Sequence, residues 1–533
     1  MRLSQSAHVD SFCRDRLPAA ETWPVFRFDL PELAYPERVN CVEALLDRHV
    51  AAGAGGRRCL VGAESSWTYA EVLERANRVA GALVHDLGVR PGNRVLLRGP
   101  NNPWLAVCWL AVMKTGAVAV ATMSLLRAGE LRTIAEMAEP SLALCAEGFD
   151  DDLAAGVPAL ARVTFGGESG GDLGVLAAAR PATFANVATA ADDVCMLAFT
   201  SGTTGRPKAT MHFHRDILAT ADTFSRHVAR PLPDDLFAGS PPLAFTYGLG
   251  GLLLFPLHAG AAALLLEQAS PDRLLEAVGR HGITTLYTAP TAYRAMLAAL
   301  GAADVSRLRT CVSAGETLPA ATWEEFHRLT GVRIIDGLGS TEMLHIFIAE
   351  TPEATRPGAT GRAVPGYVAE VQDPGGRPVP DGELGRLAVQ GPTGCRYLGG
   401  DRQEVYVQRG WNLTGDTYVR DEQGYFHYQA RADDMIISSG YNIAGPEVEE
   451  ALLRHPDVAE AAVVGLPDSE RGMIVKAFVV ARPGAGRSAE AARALQDFVK
   501  AEIAPYKYPR ALDFVDALPR TATGKLQRFR LRD

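Results

Sequence analysis

Thr200-Ser201-Gly202-Thr203-Thr204-Gly205-Arg206-Pro207-Lys208 follows directly on the apolar run Val194-Cys195-Met196-Leu197-Ala198-Phe199, and the fold of this chain can be read outward from it. An apolar run bounded by hydroxyls and glycines predicts a buried strand feeding a loop. Glycines let backbone N–H groups turn inward, and a concave set of N–H groups with hydroxyls binds phosphate oxygens. Arg206 and Lys208 add positive charge. The stretch reads as a polyphosphate cradle, with an ordinary Gly/Ser/Thr turn as the alternative. It is not the Walker pattern, G-x-x-x-x-G-K-[ST] with the lysine opening a helix. Here the glycines are three apart, Ala209 follows the lysine, and Pro207 biases Arg206 away from helical geometry.

Upstream, Trp67-Thr68-Tyr69-Ala70-Glu71 opens a helix: Thr68 and Glu71 have capping-box spacing, and Val72, Ala76, Val79 and Leu83 follow at helical intervals. Arg94–Leu97, Gly116–Ala121, Ala143–Cys145, Ala262–Leu266 and Thr284–Tyr287 read as strands, with a helix over Trp104–Lys114. Strands alternating with helices predict a doubly wound α/β sheet. The Gly/Ala-rich segment 166–191 reads as a surface connection. From about Val364 short β elements in a glycine-rich context predict a β-rich subdomain over residues 360–432. The last hundred residues read as a small α+β domain, with helices at Pro446–Leu453 and Ala489–Ile503 and strands at Glu460–Gly465 and Lys476–Val480. The expected division is 1–432 and 433–533.

With 533 residues, 47% apolar and 22% charged content, the chain has the composition of an ordinary multidomain globular protein. A net charge of −9 argues against a nucleic-acid partner. No apolar run reaches about 18 residues, and Met1–Ser6 has no apolar signal core, so a cytoplasmic protein with no membrane partner is expected. The eight cysteines lack paired or metal-like spacing and read as reduced core residues.

Five further stretches carry chemistry. Ser313-Ala314-Gly315-Glu316-Thr317-Leu318-Pro319 is a turn in which Gly315 allows close approach of a flat ring. Asp336-Gly337-Leu338-Gly339-Ser340-Thr341-Glu342 places a carboxylate after a strand end, suited to Mg²⁺ on phosphate oxygens or to capping the next helix. Thr414-Gly415-Asp416 offers an acceptor-only carboxylate to a vicinal diol, in what otherwise reads as a turn. Arg431 to Ile443 reads as a charged joint before a strand and a Ser/Gly turn. Near the end, Pro519-Arg520-Thr521-Ala522-Thr523-Gly524-Lys525 presents a lysine where two anions would have to meet.

In this order, from residue 194 to 528, these stretches resemble the motifs of the adenylate-forming superfamily of acyl-CoA synthetases, peptide-synthetase adenylation domains and luciferases. The resemblance implies that Thr200, Ser201, Gly202, Thr203, Thr204 and Lys208 hold the phosphates of ATP. It implies that Ala314, Gly315, Glu316, Asp336 and Gly337 line the adenine site, and that Asp416 and Arg431 contact the ribose. Thr341 would meet the α-phosphate, Glu342 the Mg²⁺, and Lys525 the carboxylate–α-phosphate junction. Asp433 would be the hinge of a mobile small domain, and Ser439, Gly440 and Tyr441 would border a thiol tunnel. Leu338 departs from the family, which commonly has an aromatic residue there to stack on adenine. An aliphatic face packs on the ring instead.

Phe245-Thr246-Tyr247-Gly248-Leu249-Gly250 and Ser340-Thr341-Glu342-Met343-Leu344-His345-Ile346 resemble benzoate-CoA ligases, where Phe245, Thr246, Tyr247, Gly339, His345 and Ile346 would enclose an aryl ring. Such a slot suits stacking, although His345 alone also reads as a structural histidine. The run Ser240–Leu257, with Met211–Asp216, most resembles 2-aminobenzoate-CoA ligases. A hydroxyl at Thr246 could accept from an ortho amino group. The expected reaction is ATP-dependent formation of an aroyl-AMP and then an aroyl-CoA. The alternatives are transfer to a carrier protein's phosphopantetheine arm and, disfavoured by the missing Walker spacing, a P-loop ATPase or kinase. The expected partners are small molecules, and a homodimer is compatible with the sequence.

Overall fold

The run that precedes the hydroxyl-rich loop forms the strand Val194–Thr200, buried over its first five residues. The computed structural model describes residues 3–166, 171–200, 207–400, 402–431, 434–438, 441–468, 471–503, 505–520 and 526–532. Ser201, Gly202, Thr203, Thr204, Asp433, Ser439, Gly440 and Lys525 lie outside the described residues, as does the Tyr441 side chain.

Among the described residues the strands assemble into four sheets. The first runs in the order Arg162–Phe165, Leu142–Ala146, Arg94–Gly99, Val118–Met123, Val194–Thr200, Lys208–Phe213. Its strands are parallel except for the last pair, where Thr200 stands opposite Lys208. The two ends of the hydroxyl-rich loop are thereby side by side. Parallel neighbours need a crossover, supplied between Arg94–Gly99 and Val118–Met123 by the helix Pro103–Lys114. It starts on Asn102, whose side chain accepts from the Leu105 N–H (2.9 Å), with Pro103 in its first turn. The helix Tyr69–His85 opens with the expected reciprocal capping box of Thr68 and Glu71.

The second sheet has nine strands: Arg362–Ala363, Ile346–Ala349, Ile334–Gly339, Thr310–Ala314, Thr285–Thr288, Leu236–Gly239, Ala262–Leu264, Arg58–Val61 and Ser66–Thr68. A shared core includes Leu97, Leu110, Cys195, Phe237, Leu252, Phe255, Val312 and Ile335. A smaller antiparallel sheet follows, built on Val368–Gln372, Leu384–Gln390, Trp411–Arg420 and Phe426–Arg431. The small C-terminal domain has its own sheet, in which Val458–Asp468 and Gly472–Ala481 pair over ten residues. The helices Gly445–Leu453 and Ala489–Glu502 belong to its core, which includes Ile436, Val448, Val463, Val475, Leu495 and Val499.

Three local expectations change. The segment 166–191 holds a helix, Gly171–Ala178, whose Leu173 and Ala177 are buried at i, i+4 spacing; Gly/Ala bias hid that face. Asp336–Gly339 is strand, because Thr310–Ala314 and Ile346–Ala349 pair with it on both sides. Thr414–Asp416 lies inside the strand Trp411–Arg420 as a bulge: these three residues stand opposite the single Leu387 between the pairs Arg386–Thr417 and Ala388–Leu413. Tertiary pairing overrides turn chemistry in both cases.

Candidate active site

Thr285–Thr288, Thr310–Ala314 and Ile334–Gly339 are adjacent parallel strands, with Thr288 opposite Ser313 and Ala314 opposite Gly337. The crevice beyond the carboxyl ends of such strands is where open α/β sheets bind ligands. Ala314, Gly315, Glu316, Asp336 and Gly337 are therefore brought to one edge. Gly315 sits at φ +93°, a conformation that side chains disfavour. Burial pushes the Asp336 carboxyl well above the usual carboxylate range.

The chain leaves Gly339 into Ser340-Thr341-Glu342. The Ser340 hydroxyl accepts from the Met343 N–H (3.2 Å) and meets the Tyr406 hydroxyl at 3.1 Å. Tyr397 donates its phenol O–H to Glu342 Oε1 at 2.5 Å. Leu344, buried and at φ +71°, turns the backbone sharply between Glu342 and His345. Strain of this kind in a non-glycine residue clusters at functional sites. Lys208 lies 5.6 Å from the centroid of the Tyr397 ring. Burial, and then the nearby Arg402 charge, lower the Lys208 pKa. Glu342 is thus an oxygen donor facing a cationic loop root. That set fits Mg²⁺, a hard cation that combines one or two carboxylates with a nucleotide's own phosphates.

Asp416 and Arg431 are opposed across the strand pair and ion-paired at 3.2 Å; Arg431 also donates to the Thr414 carbonyl. The two residues expected at the ribose thus form one unit.

On the other side of Gly339 is an aromatic slot. Gly339 pairs with Ile346, and the Tyr247 hydroxyl donates to the Val312 carbonyl (2.9 Å), pinning the short helix Thr246–Leu249. The Tyr247 ring lies 5.8 Å from that of His345, which meets Phe255 edge-on at 4.5 Å. Gly250 makes room for it: a Cβ there would stand 2.3 Å from the imidazole. Phe245 is the residue preceding that helix, and Thr246 opens it. His345 is 3% exposed, neither ring nitrogen has a hydrogen-bond partner among the described residues, and burial pushes its pKa down to about 3. His212 is likewise buried and lowered to about 3.

Both imidazoles stay neutral in the fold but take up a proton when released, so this stability is complete above about pH 6.5 and falls as pH drops toward 3. Each histidine should remove up to about 1.4 kcal/mol of unfolding free energy per pH unit between pH 6 and 4. Urea titrations at pH 7 and pH 5 that gave the same midpoint would contradict this.

The small domain approaches the sheet edge that carries Glu316. Arg520 reaches Glu316 (3.4 Å) and Glu460 (2.7 Å), and Glu460 faces Arg294 at 3.7 Å. Arg520 is bridged to Leu526, so the root of the loop containing Lys525 is held beside Glu316. Tyr397, Tyr406 and Arg520 are the functional candidates that sequence reasoning missed. A tyrosine in Cys395-Arg396-Tyr397-Leu398 carries no local signature, and its partner lies 55 positions away.

The chain belongs to the AMP-binding enzyme family, whose model matches residues 47–397 and whose C-terminal-domain model matches residues 447–525. Within that family it stands among the aryl-CoA ligases. It is 36% identical to the benzoate–CoA ligase of Thauera aromatica, over 94% of this chain and 97% of that one. Its structure is similar to an anthranilate CoA ligase in complex with anthranoyl-AMP (TM-score 0.88, 34% identity, 94% and 98% of the two chains). It is also similar to a benzoate CoA ligase from Burkholderia xenovorans LB400 (TM-score 0.85, 33% identity, 93% and 100%). Among the described residues no helix is long and apolar enough to cross a membrane.

Proposed function

We propose that this protein is an ATP-dependent ligase that joins 2-aminobenzoate, or a closely related ortho-substituted benzoate, to the thiol of CoA. The observation that carries the choice of acid is Thr246, the first residue of the short helix that also holds Tyr247 against His345, with Gly339 paired to Ile346; its hydroxyl would face the bound ring. An aryl ring fills that slot by stacking, with Phe245 at its mouth, and an ortho amino group donates to the hydroxyl. The likeness to an anthranilate CoA ligase supports the same choice.

In the first half-reaction the aryl carboxylate attacks the α-phosphorus of ATP, giving aroyl-AMP and pyrophosphate. Thr200, Ser201, Gly202, Thr203, Thr204 and Lys208 hold the departing phosphates. Thr341 orients the α-phosphoryl group, and Glu342 would hold Mg²⁺, which neutralises phosphate charge when bound. Ala314, Gly315, Glu316, Asp336 and Gly337 receive the adenine, and Asp416 takes the ribose hydroxyls with Arg431 beside it. Lys525 stabilises the charge that builds at the α-phosphoryl oxygens. In the second half the small domain, 433–533, turns about Asp433. The thiol then enters past Ser439, Gly440 and Tyr441 and attacks the acyl carbonyl, and AMP leaves.

Pyrophosphate release across a panel of substituted benzoates tests the acid. The highest kcat/KM is expected with 2-aminobenzoate, and a maximum with benzoate or a medium-chain fatty acid would overturn the choice. Thr246→Ala should lower the preference for 2-aminobenzoate over benzoate about fivefold, the equivalent of one hydrogen bond of roughly 1 kcal/mol. Parallel assays with CoA and a phosphopantetheinylated carrier protein decide the acceptor.

A further inference from the structure

Tyr397 is placed by strand pairing. The segment Arg396–Leu398 adds to the strand Lys208–Phe213: Met211 N–H donates to the Arg396 carbonyl (2.8 Å), Leu398 N–H donates to the Ala209 carbonyl (2.9 Å), and Thr210 is bridged to Tyr397. Alternation along a strand sends Lys208, Thr210 and His212 to one face and Ala209, Met211 and Phe213 to the other. Directly opposed residues share a face, so Tyr397 stands on the side of Lys208. Arg396 points the other way, its guanidinium 3.9 Å from the centroid of the Phe213 ring. Tyr397 is 4% exposed and touches two groups of the nucleotide site. Its O–H binds Glu342 Oε1 at 2.5 Å, and the Lys208 ammonium lies 5.6 Å from its ring centroid. Glu342 Oε2 accepts no hydrogen bond among the described residues.

We propose that Tyr397 is a positioning residue for the metal-binding carboxylate: its phenol holds Glu342 by one oxygen and leaves the other for the Mg²⁺ that Glu342 would hold. This rests on the assignment of Glu342 to Mg²⁺ made above. A glutamate side chain has three rotatable bonds, and a short O–H···O⁻ bond to a buried phenol removes much of that freedom before the cation arrives. Hydrogen-bonded partners of ligating groups typically change metal affinity by about 10–100-fold when removed. The ring adds a second effect: 5.6 Å from the Lys208 ammonium, it gives that cation an aromatic face to rest on.

Tyr397→Phe keeps the ring and removes the O–H. With Mn²⁺ as the probe and α,β-methylene-ATP as the nucleotide, electron paramagnetic resonance titration of the full chain should show Mn²⁺ binding weakened about tenfold, the lower end of that range. Affinity for the analogue without metal should stay within about twofold, because Lys208 and the ring are untouched. In pyrophosphate release, the Mg²⁺ needed for half-maximal rate should rise by a similar factor. Unchanged Mn²⁺ affinity in the variant would overturn the proposal. So would an equal loss of analogue affinity with and without metal, which would make the phenol a nucleotide or folding contact. A wild-type chain that binds the analogue equally with and without Mn²⁺ would overturn the assignment of Glu342 itself. Tyr397→Leu, which also removes the ring, should additionally weaken metal-free analogue binding.

Discussion

Replacing Lys525 by alanine is expected to slow aroyl-adenylate formation by about 10²–10³-fold or more, the scale for removing one preorganised charge-stabilising donor. The barrier the lysine addresses is electrostatic. A carboxylate must approach a triphosphate, and negative charge accumulates on the α-phosphoryl oxygens as the bond to pyrophosphate lengthens. The described residues on either side of this loop lie near the sheet edge: Arg520 binds Glu316, and Leu526 is bridged to Arg520. The second half-reaction needs no such cation, since aroyl-AMP already carries its leaving group. With synthetic aroyl-AMP and CoA supplied, Lys525→Ala should therefore lose far less. Equal losses in both half-reactions would remove the lysine from the adenylation step and, with it, the domain turn about Asp433.

Arg396→Met is expected to be the most destabilising single change in the large domain, costing about 3–5 kcal/mol, the range for stripping one partner from a fully buried ion pair. Arg396 and Asp216 are both 0% exposed and hydrogen-bonded to each other, and Asp216 also accepts from the Phe213 N–H (3.0 Å). Methionine fills much of the volume but strips Asp216 of the guanidinium it is hydrogen-bonded to, in a site walled by Phe213 and Phe26, and leaves only the more distant Arg215 charge. The double variant Arg396→Met/Asp216→Asn should recover a large part of the loss, because a neutral amide is far cheaper to bury than a carboxylate. Trp23, with its ring 5.9 Å from the Arg396 guanidinium, gives a local fluorescence reporter for urea unfolding. A loss below about 1 kcal/mol in the single variant would mean that water reaches the pair.

Much of the proposed site is read from the sequence because its chemistry is local. Hydroxyls and glycines after an apolar run, a carboxylate after Gly-Ser-Thr, and a lysine in Thr-Gly-Lys each state a function within a few residues. The structure brings Ala314, Gly315, Asp336 and Gly337 to one sheet edge and pairs Asp416 with Arg431. Where local reading went astray, pairing partners decided: Asp336–Gly339 and Thr414–Asp416 carry turn residues yet lie in strands, because neighbouring strands satisfy their backbone groups.

What the chain determines by itself is therefore the kinds of reactive group, their order, and the alternating rhythm that builds a layered α/β domain followed by a small one. Tertiary structure alone decided that Tyr397 meets Glu342, that Arg520 meets Glu316, and that Arg396 is buried against Asp216. The reason is register. Which face a strand residue shows, and which distant side chain it then reaches, depends on the strand laid beside it, and no short stretch of residues encodes its neighbour.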